Sequence, residues 1–220
     1  MGARPSFDTE LENLNIDLIK MAGLAEQAIK NSVLALTARD KEVAQNVAEH
    51  DHEIDEMEKT IETRCLKLLL RQQPVARDLR QISTALKMIT DIERIGDQAA
   101  DIAEILVNLD DDEPAKIARH IPEMARVASE MVYDSVTAFT NNDLDSAKAV
   151  IARDDVVDDL FCKVRADLVE HIGSSPSKID EAIDVMMIAK YLERIGDHAV
   201  NICEWVEFFE TGEYKNTKIL

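Results

Sequence analysis

A twelve-residue stretch of this chain occurs twice, the second copy one hundred residues after the first. It reads Glu93-Arg94-Ile95-Gly96-Asp97-Gln98-Ala99-Ala100-Asp101-Ile102-Ala103-Glu104 and returns as Glu193-Arg194-Ile195-Gly196-Asp197-His198-Ala199-Val200-Asn201-Ile202-Cys203-Glu204. Eight of the twelve positions are identical, which marks a duplication. In each copy a Glu and an Asp stand four apart, a spacing that puts both on one face of a helix.

The duplication extends well beyond the motif. Leu18, Met21, Ala25, Ala28, Ser32 and Ala35 reappear as Ile121, Met124, Ala128, Met131, Ser135 and Ala138, at a constant offset of 103. Asp40, Val47, Ile54 and Met57 reappear at the same offset as Asp143, Val150, Val157 and Leu160. The motif itself returns at 100, so the three-residue slip falls in the loop before it, where insertions are tolerated.

The repeating unit is three helices. Phe7, Leu11, Leu14, Leu18, Met21, Ala25 and Ala28 step by four and three, a heptad seam on a long first helix ending near Thr37. Asp40 is an N-cap for a second helix with its seam at Val43, Val47, Ile54, Met57, Ile61 and Leu68 and with His50 and Arg64 at the polar seam positions. Gln72-Gln73-Pro74 stops it. A third helix over about 77–109 holds the first motif, and Asp110-Asp111-Asp112-Glu113-Pro114 is an acidic break. The second round starts near Ile121, with Pro122 in a first turn, and turns at Asn141-Asn142-Asp143. Its second helix runs to about His171 and is expected to close on a glycine stop with a capped restart at Gly173-Ser174-Ser175-Pro176-Ser177. Short connections make neighbouring helices antiparallel. The expectation is an all-α chain of two tandem three-helix bundles, residues 1–110 and 111–212, with a tail at 213–220.

Composition agrees. Aromatics are 4% and the chain has 6 Gly and 5 Pro, too few turn and strand formers for a sheet protein. Forty-four acids against 25 bases leave a net charge of -19. A phosphate backbone is repelled by such a surface, as is a bare anionic membrane, so no nucleic-acid partner is expected. Cys65, Cys162 and Cys203 have no metal or disulfide spacing and read as reduced, mostly buried thiols of a cytoplasmic protein. Asp8, Glu10, Glu12 and Asp17 speak against a signal peptide, and no apolar run reaches the roughly 18 residues of a membrane span.

The third helix carries the chemistry. Ala85, Met88, Ile92, Ile95, Ala99, Ile102, Leu106 and Leu109 form its seam. Beside it runs a second apolar row, Ile82, Leu86 and Ile89, which Glu93 and Gly96 interrupt before Ala100 and Ala103 resume it. The later copy does the same: Ala182, Met186 and Ala189, then Glu193 and Gly196, then Val200 and Cys203. A charge at the edge of a packing face is costly unless neutralised, and a glycine inside a helix costs about 1 kcal/mol relative to alanine. Both costs fall at the same place in both halves, so something approaches the backbone closely there and compensates carboxylate charge. Neighbouring helices offer partners: Asp51 and Asp55 in the first half, Asp154 and Asp158 at the same offset in the second. Such convergent carboxylates suit hard cations or trivalent iron. The competing reading is a salt-bridge network using Arg94, Arg194, Arg77 and Arg80. His50, His52 and His198 are not repeated and read as surface or core-edge residues. Glu49–His52 is the single Glu-x-x-His of the di-iron type, and there is no glycine-rich phosphate loop or nucleophile elbow. Two further readings stand beside a binding protein: a metal-dependent enzyme on a helical bundle, and a purely structural scaffold.

Gln72-Gln73-Pro74-Val75-Ala76-Arg77-Asp78-Leu79-Arg80, followed by both copies of the repeated stretch, resembles the PhoU family over about 7–214. The resemblance implies paired three-helix bundles carrying multinuclear iron or zinc clusters, with magnesium, manganese or nickel as other candidate metals. Matched by position, the ligands would be Asp51, Asp55, Glu93 and Asp97 in the first half and Asp154, Asp158, Glu193 and Asp197 in the second. Asp101 matches a further acid, replaced by Asn201 in the second motif. It also implies a non-enzymatic, cytoplasmic homodimer that represses phosphate uptake and the starvation response. Its implied partners are the phosphate ABC transporter ATPase and a sensor histidine kinase, with membrane association only through them.

Overall fold

The fold is given by a computed structural model that describes residues 4–72, 74, 76–109, 118–215 and 217–218. The acidic break at 110–114 and parts of the 72–75 stop lie outside these residues. The first half comprises α1 (Arg4–Ala38), α2 (Lys41–His50), α3 (His52–Gln72) and α4 (Ala76–Asn108). The second comprises α5 (Ile121–Asn141), α6 (Leu144–Ser174) and α7 (Ile179–Thr211), with a 3-10 turn at Pro176–Lys178. The all-α expectation holds.

The repeat is visible in atomic detail. Arg39 and Asn142 both take left-handed backbone, at φ 59° and 56°. After them Asp40 N–H donates to Ala35 O at 3.0 Å and Asp143 N–H to Ala138 O at 2.8 Å, the same helix-closing turn. Each Asp then caps the next helix: Asp40 accepts from Glu42 N and Val43 N, and Asp143 from Ser146 N. Pro122 sits in the first turn of α5.

Three expectations need correction. The second helix of the first half is not continuous. It breaks at Asp51, where Ile54 N–H bonds to Asp51 O at 2.9 Å, three residues back rather than four. His50 and His52 donate Nδ1–H to the carbonyls of Asn46 and Glu49, competing locally with helical bonds. Its counterpart α6 runs unbroken through Asp154. Nor does Gly173 stop α6, which continues through Ser174, and the restart of α7 has no side-chain cap. The tail is partly ordered as a two-stranded hairpin, Glu213–Tyr214 against Thr217–Lys218. There Tyr214 stacks on Trp205 at 4.1 Å between ring centroids.

One hydrophobic cluster runs through both halves. Leu14, Leu18, Met21 and Ala25 of α1 are fully buried, as are Met88, Ile92, Ile95 and Ile102 of α4 and Ile188, Leu192, Ile195 and Ile202 of α7. The halves meet helix for helix, α1 on α5 and α4 on α7. Arg80 Nε donates to Phe209 O at 2.9 Å, and Asp91 pairs with His198 at 2.8 Å. Early α4 therefore meets late α7, and the two motif helices are antiparallel with their motifs at mid-length. Cys65 and Cys203 are buried, while Cys162 is exposed; all three are free. Among the described residues no helix is long and apolar enough to cross a membrane.

Candidate metal centre

The interrupted apolar row is where the second long helix of each half leans on the third. A Cβ placed on Gly96 would lie 2.8 Å from Ile54 Cδ1 and 3.2 Å from Asp51 Oδ1. On Gly196 it would lie 2.9 Å from Asp154 Oδ1 and 3.5 Å from Val157 Cγ1. The close approach inferred from the glycines is thus made by the facing aspartate. Only a residue without Cβ lets that carboxylate rest against the motif helix.

In the first half this brings Asp51, Asp55 and Asp97 together, each offering a carboxylate oxygen within 4.8 Å of the others. No other such trio occurs among the described residues. Burial, then the charges of Asp97, Asp55 and Asp101, push the Asp51 carboxyl up to about 6. Glu93 is also raised, by burial and then by Asp97. Like-charged oxygens in a half-buried cleft resist ionising together, and a bound cation reverses that cost. Asp101 lies near the Tyr191 hydroxyl of the other half while its charge still bears on Asp51.

The second half gathers the same groups more loosely. Asp154 is raised to about 6, by burial and then by Asp158, Asp197 and Glu193. Asp197 is raised by burial and then by Glu193, against the opposing pull of Lys190. Asp158 and Asp197 are exposed, whereas Asp55 and Asp97 are partly covered.

The arginines proposed as the competing explanation divide. Arg94 pairs with Glu93 at 3.4 Å and with Asp97 at 3.1 Å, from an exposed position on the same helix. It pairs with neither Asp51 nor Asp55. Arg77 and Arg80 go to the end of α7, bonding Glu210 and the Phe209 carbonyl. The histidines do not enter the cluster: His50 and His52 bond their own helix backbone, and His198 joins Asp91 at the α4–α7 contact.

Sequence reading missed two residues. Glu58, one turn after Asp55, lies near the Thr90 side chain and is raised by burial and by Glu62 and Asp55. Lys190 pairs with Glu193 and lies over the Phe161 ring, 5.7 Å from its centroid. Both signals were present in the repeat, since Phe161 stands at the place of Glu58 and Lys190 at that of Thr90. They lie outside the identical stretch and use different offsets, 103 and 100, so they do not align by eye.

The donor set fits a hard cation. Three carboxylates with no thiolate or imidazole among them favour iron(III), manganese or magnesium over zinc. The glycine cradle holds one of the three in place. Two tandem three-helix units, each with facing aspartates across a glycine, define a duplicated carboxylate-bearing helical protein.

Comparison with known proteins gives that class a family. The model described as "PhoU domain" matches twice, over residues 18–106 and 121–206. The chain is 36% identical over 211 residues to the phosphate-specific transport system accessory protein PhoU homolog of Clostridium acetobutylicum, covering 96% of each. It is 37% identical to the homolog of that name from Pseudomonas putida, covering 94% of this chain and 81% of the relative. Its fold matches the crystal structure of PhoU from Pseudomonas aeruginosa with a TM-score of 0.85 at 35% identity, covering 94% of this chain and 100% of that one. It matches the phosphate transport system regulatory protein PhoU from Streptococcus pneumoniae with a TM-score of 0.84 at 29% identity, covering 94% and 98%. The chain belongs to the PhoU family.

Proposed function

We propose that this chain is a regulatory accessory protein of phosphate-specific transport, working by protein contact and without catalysis. What supports the reading is likeness to proteins so named over 94–96% of the chain, through both repeats. In this proposal the protein is a cytoplasmic homodimer that bridges the transporter ATPase and a phosphate-sensing histidine kinase, repressing uptake and starvation signalling when phosphate is plentiful. Asp51, Asp55 and Asp97, with Glu93 and Asp101 beside them, hold metal in the first half. Asp154, Asp158, Glu193 and Asp197 are the second set. A bound hard cation supplies positive charge that ties α2 and α3 to α4, and α6 to α7. The chain's own contribution is to hold the carboxylates in place across Gly96 and Gly196.

The test has two parts. Deleting the gene should switch on phosphate-starvation genes in high phosphate, and affinity capture of the full chain from phosphate-replete cells should recover the ATPase and the kinase. A deletion strain with normal repression, or capture of neither partner, contradicts the proposal.

A further inference from the structure

The two carboxylate sets are copies in position but not in charge. At the place of Glu58 in the first half the second has Phe161; at that of Thr90 it has Lys190; at that of Asp101 it has Asn201. All three exchanges make the second set less negative. Exchanges also run the other way, with exposed Asp155 at the place of His52 and Asp134, paired with Arg153, at that of Asn31. The outer arginine occurs in both halves, as Arg94 and Arg194.

Two of the exchanged positions face each other. In the first half they hold the Glu58 carboxyl and the neutral Thr90 hydroxyl near it. In the second, the Lys190 ammonium lies over the Phe161 ring and pairs with Glu193. An aromatic face holds an ammonium by attraction to its π cloud, so the pair Phe161–Lys190 is a seated cation where the first half has an acid and a neutral hydroxyl. Lys190 is half-exposed, whereas the Glu193 carboxylate it covers is 17% exposed. The first half gathers Asp51, Asp55 and Asp97 within 4.8 Å, with Arg94 on the outer side of Asp97.

From this juxtaposition we propose that Lys190, seated on Phe161, is a resident counter-cation that makes the second carboxylate set a weak metal site and leaves the first as the tight one. The inference rests on the metal reading of these carboxylates. A cation entering the second set has to displace an ammonium tethered to the chain, which costs affinity. A cation entering the first set meets only Arg94, which pairs with Glu93 and Asp97 from an exposed position on their own helix and has its counterpart Arg194 in the second half. Lys190 is thus a specificity-determining residue that separates two otherwise duplicated sites.

The test is titration of the chelator-stripped full chain with manganese(II), following free ion by electron paramagnetic resonance. The wild type should show a tight and a weak class of sites. Lys190→Thr, which installs the residue of the first half, should tighten the weak class at least tenfold and leave the tight class unchanged. Lys190→Met, which keeps apolar contact with Phe161 but removes the charge, should do the same. Asp51→Asn with Asp97→Asn should remove the tight class alone. Two equal classes in the wild type, or no change in the weak class with either lysine variant, would overturn the role of Lys190 while metal binding itself stands. No manganese binding by the wild type would overturn the metal reading and this inference with it.

Discussion

The two halves share a backbone plan and differ in how they settle charge. The clearest case is one ion pair at matched positions. In the first half Arg64 of α3 reaches Asp17 at 3.0 Å and Glu10 at 2.7 Å. Adding 103 turns Arg64 into Asp167 and Asp17 into His120, and His120 meets Asp167 at 3.4 Å with Arg119 bonded beside it. The contact is kept and its charges are exchanged. Another case lies next to the carboxylates. Arg153 pairs with Asp134 at 2.8 Å in the second half. The matching residues of the first, His50 and Asn31, line a groove of about 180 Å³ that opens on Asp51 and Gly96. Duplication fixes where side chains meet; it does not fix which charges they carry. Near the carboxylate sets the second half places Arg153 and Lys190 where the first has His50 and Thr90.

The largest expected effect separates the glycines. Gly96→Ala pushes a methyl onto buried Ile54 as well as Asp51, and overpacking of that kind costs about 3 kcal/mol, of which alanine's helix propensity returns about 1 kcal/mol. For a chain of this length the net loss lowers Tm by about 4–8 °C. Gly196→Ala meets chiefly the free end of Asp154, which can swing away, and alanine gains about 1 kcal/mol of helix propensity. Its Tm should stay within about 2 °C of wild type. Thermal melts of the two metal-free variants check this, and equal losses would show that the two helix approaches are equivalent.

Next comes the exchanged ion pair. Arg64→Asp sets an acid against Glu10 and Asp17 and should cost about 1–2 kcal/mol, because the lost arginine is only 27% exposed. Adding Asp17→His rebuilds the pairing of the second half and should recover part of the loss. A double-mutant cycle in urea measures the coupling; additive losses would mean the shared geometry carries no energy.

The smallest effect is one in which the halves should agree. Asp51 and Asp154 are both raised to about 6 from 3.8. A carboxyl raised on folding favours the protonated native state, so its stabilisation is complete below about pH 4 and is lost as pH rises through 6. A two-unit shift corresponds to at most about 3 kcal/mol, and partial exposure to solvent reduces this to about 1 kcal/mol per site. The metal-stripped chain should therefore melt higher at pH 5 than at pH 7.5, by a few degrees. Asp51→Asn and Asp154→Asn should each remove about half of that difference. A pH-independent Tm would mean the carboxylates do not repel one another as placed.

Much of this was legible in the sequence because it lies on a strict period. Glu93 and Gly96 break an apolar row, and Asp51 and Asp55 face them four apart; both follow from helix geometry alone. The break at Asp51 was not legible, since it reflects two histidine rings bonding nearby carbonyls rather than proline or glycine. Gly173 misled because glycine permits a left-handed stop without imposing one, and α6 ends instead at Ser174, two residues before Pro176. The stacking of Tyr214 on Trp205 needs the tail to fold back, which no local pattern announces. Lys190 and Glu58 escaped notice because each matters only through its partner, Phe161 or Thr90, on another helix.

The most direct measurement is anomalous diffraction from crystals grown with manganese(II), with data collected across its absorption edge. The expected map has a strong peak among Asp51, Asp55 and Asp97 and a weaker one, or none, among Asp154, Asp158 and Glu193. A map with no peak at Asp51 would contradict the metal centre, and one with the stronger peak beside Lys190 would contradict the asymmetry between the halves.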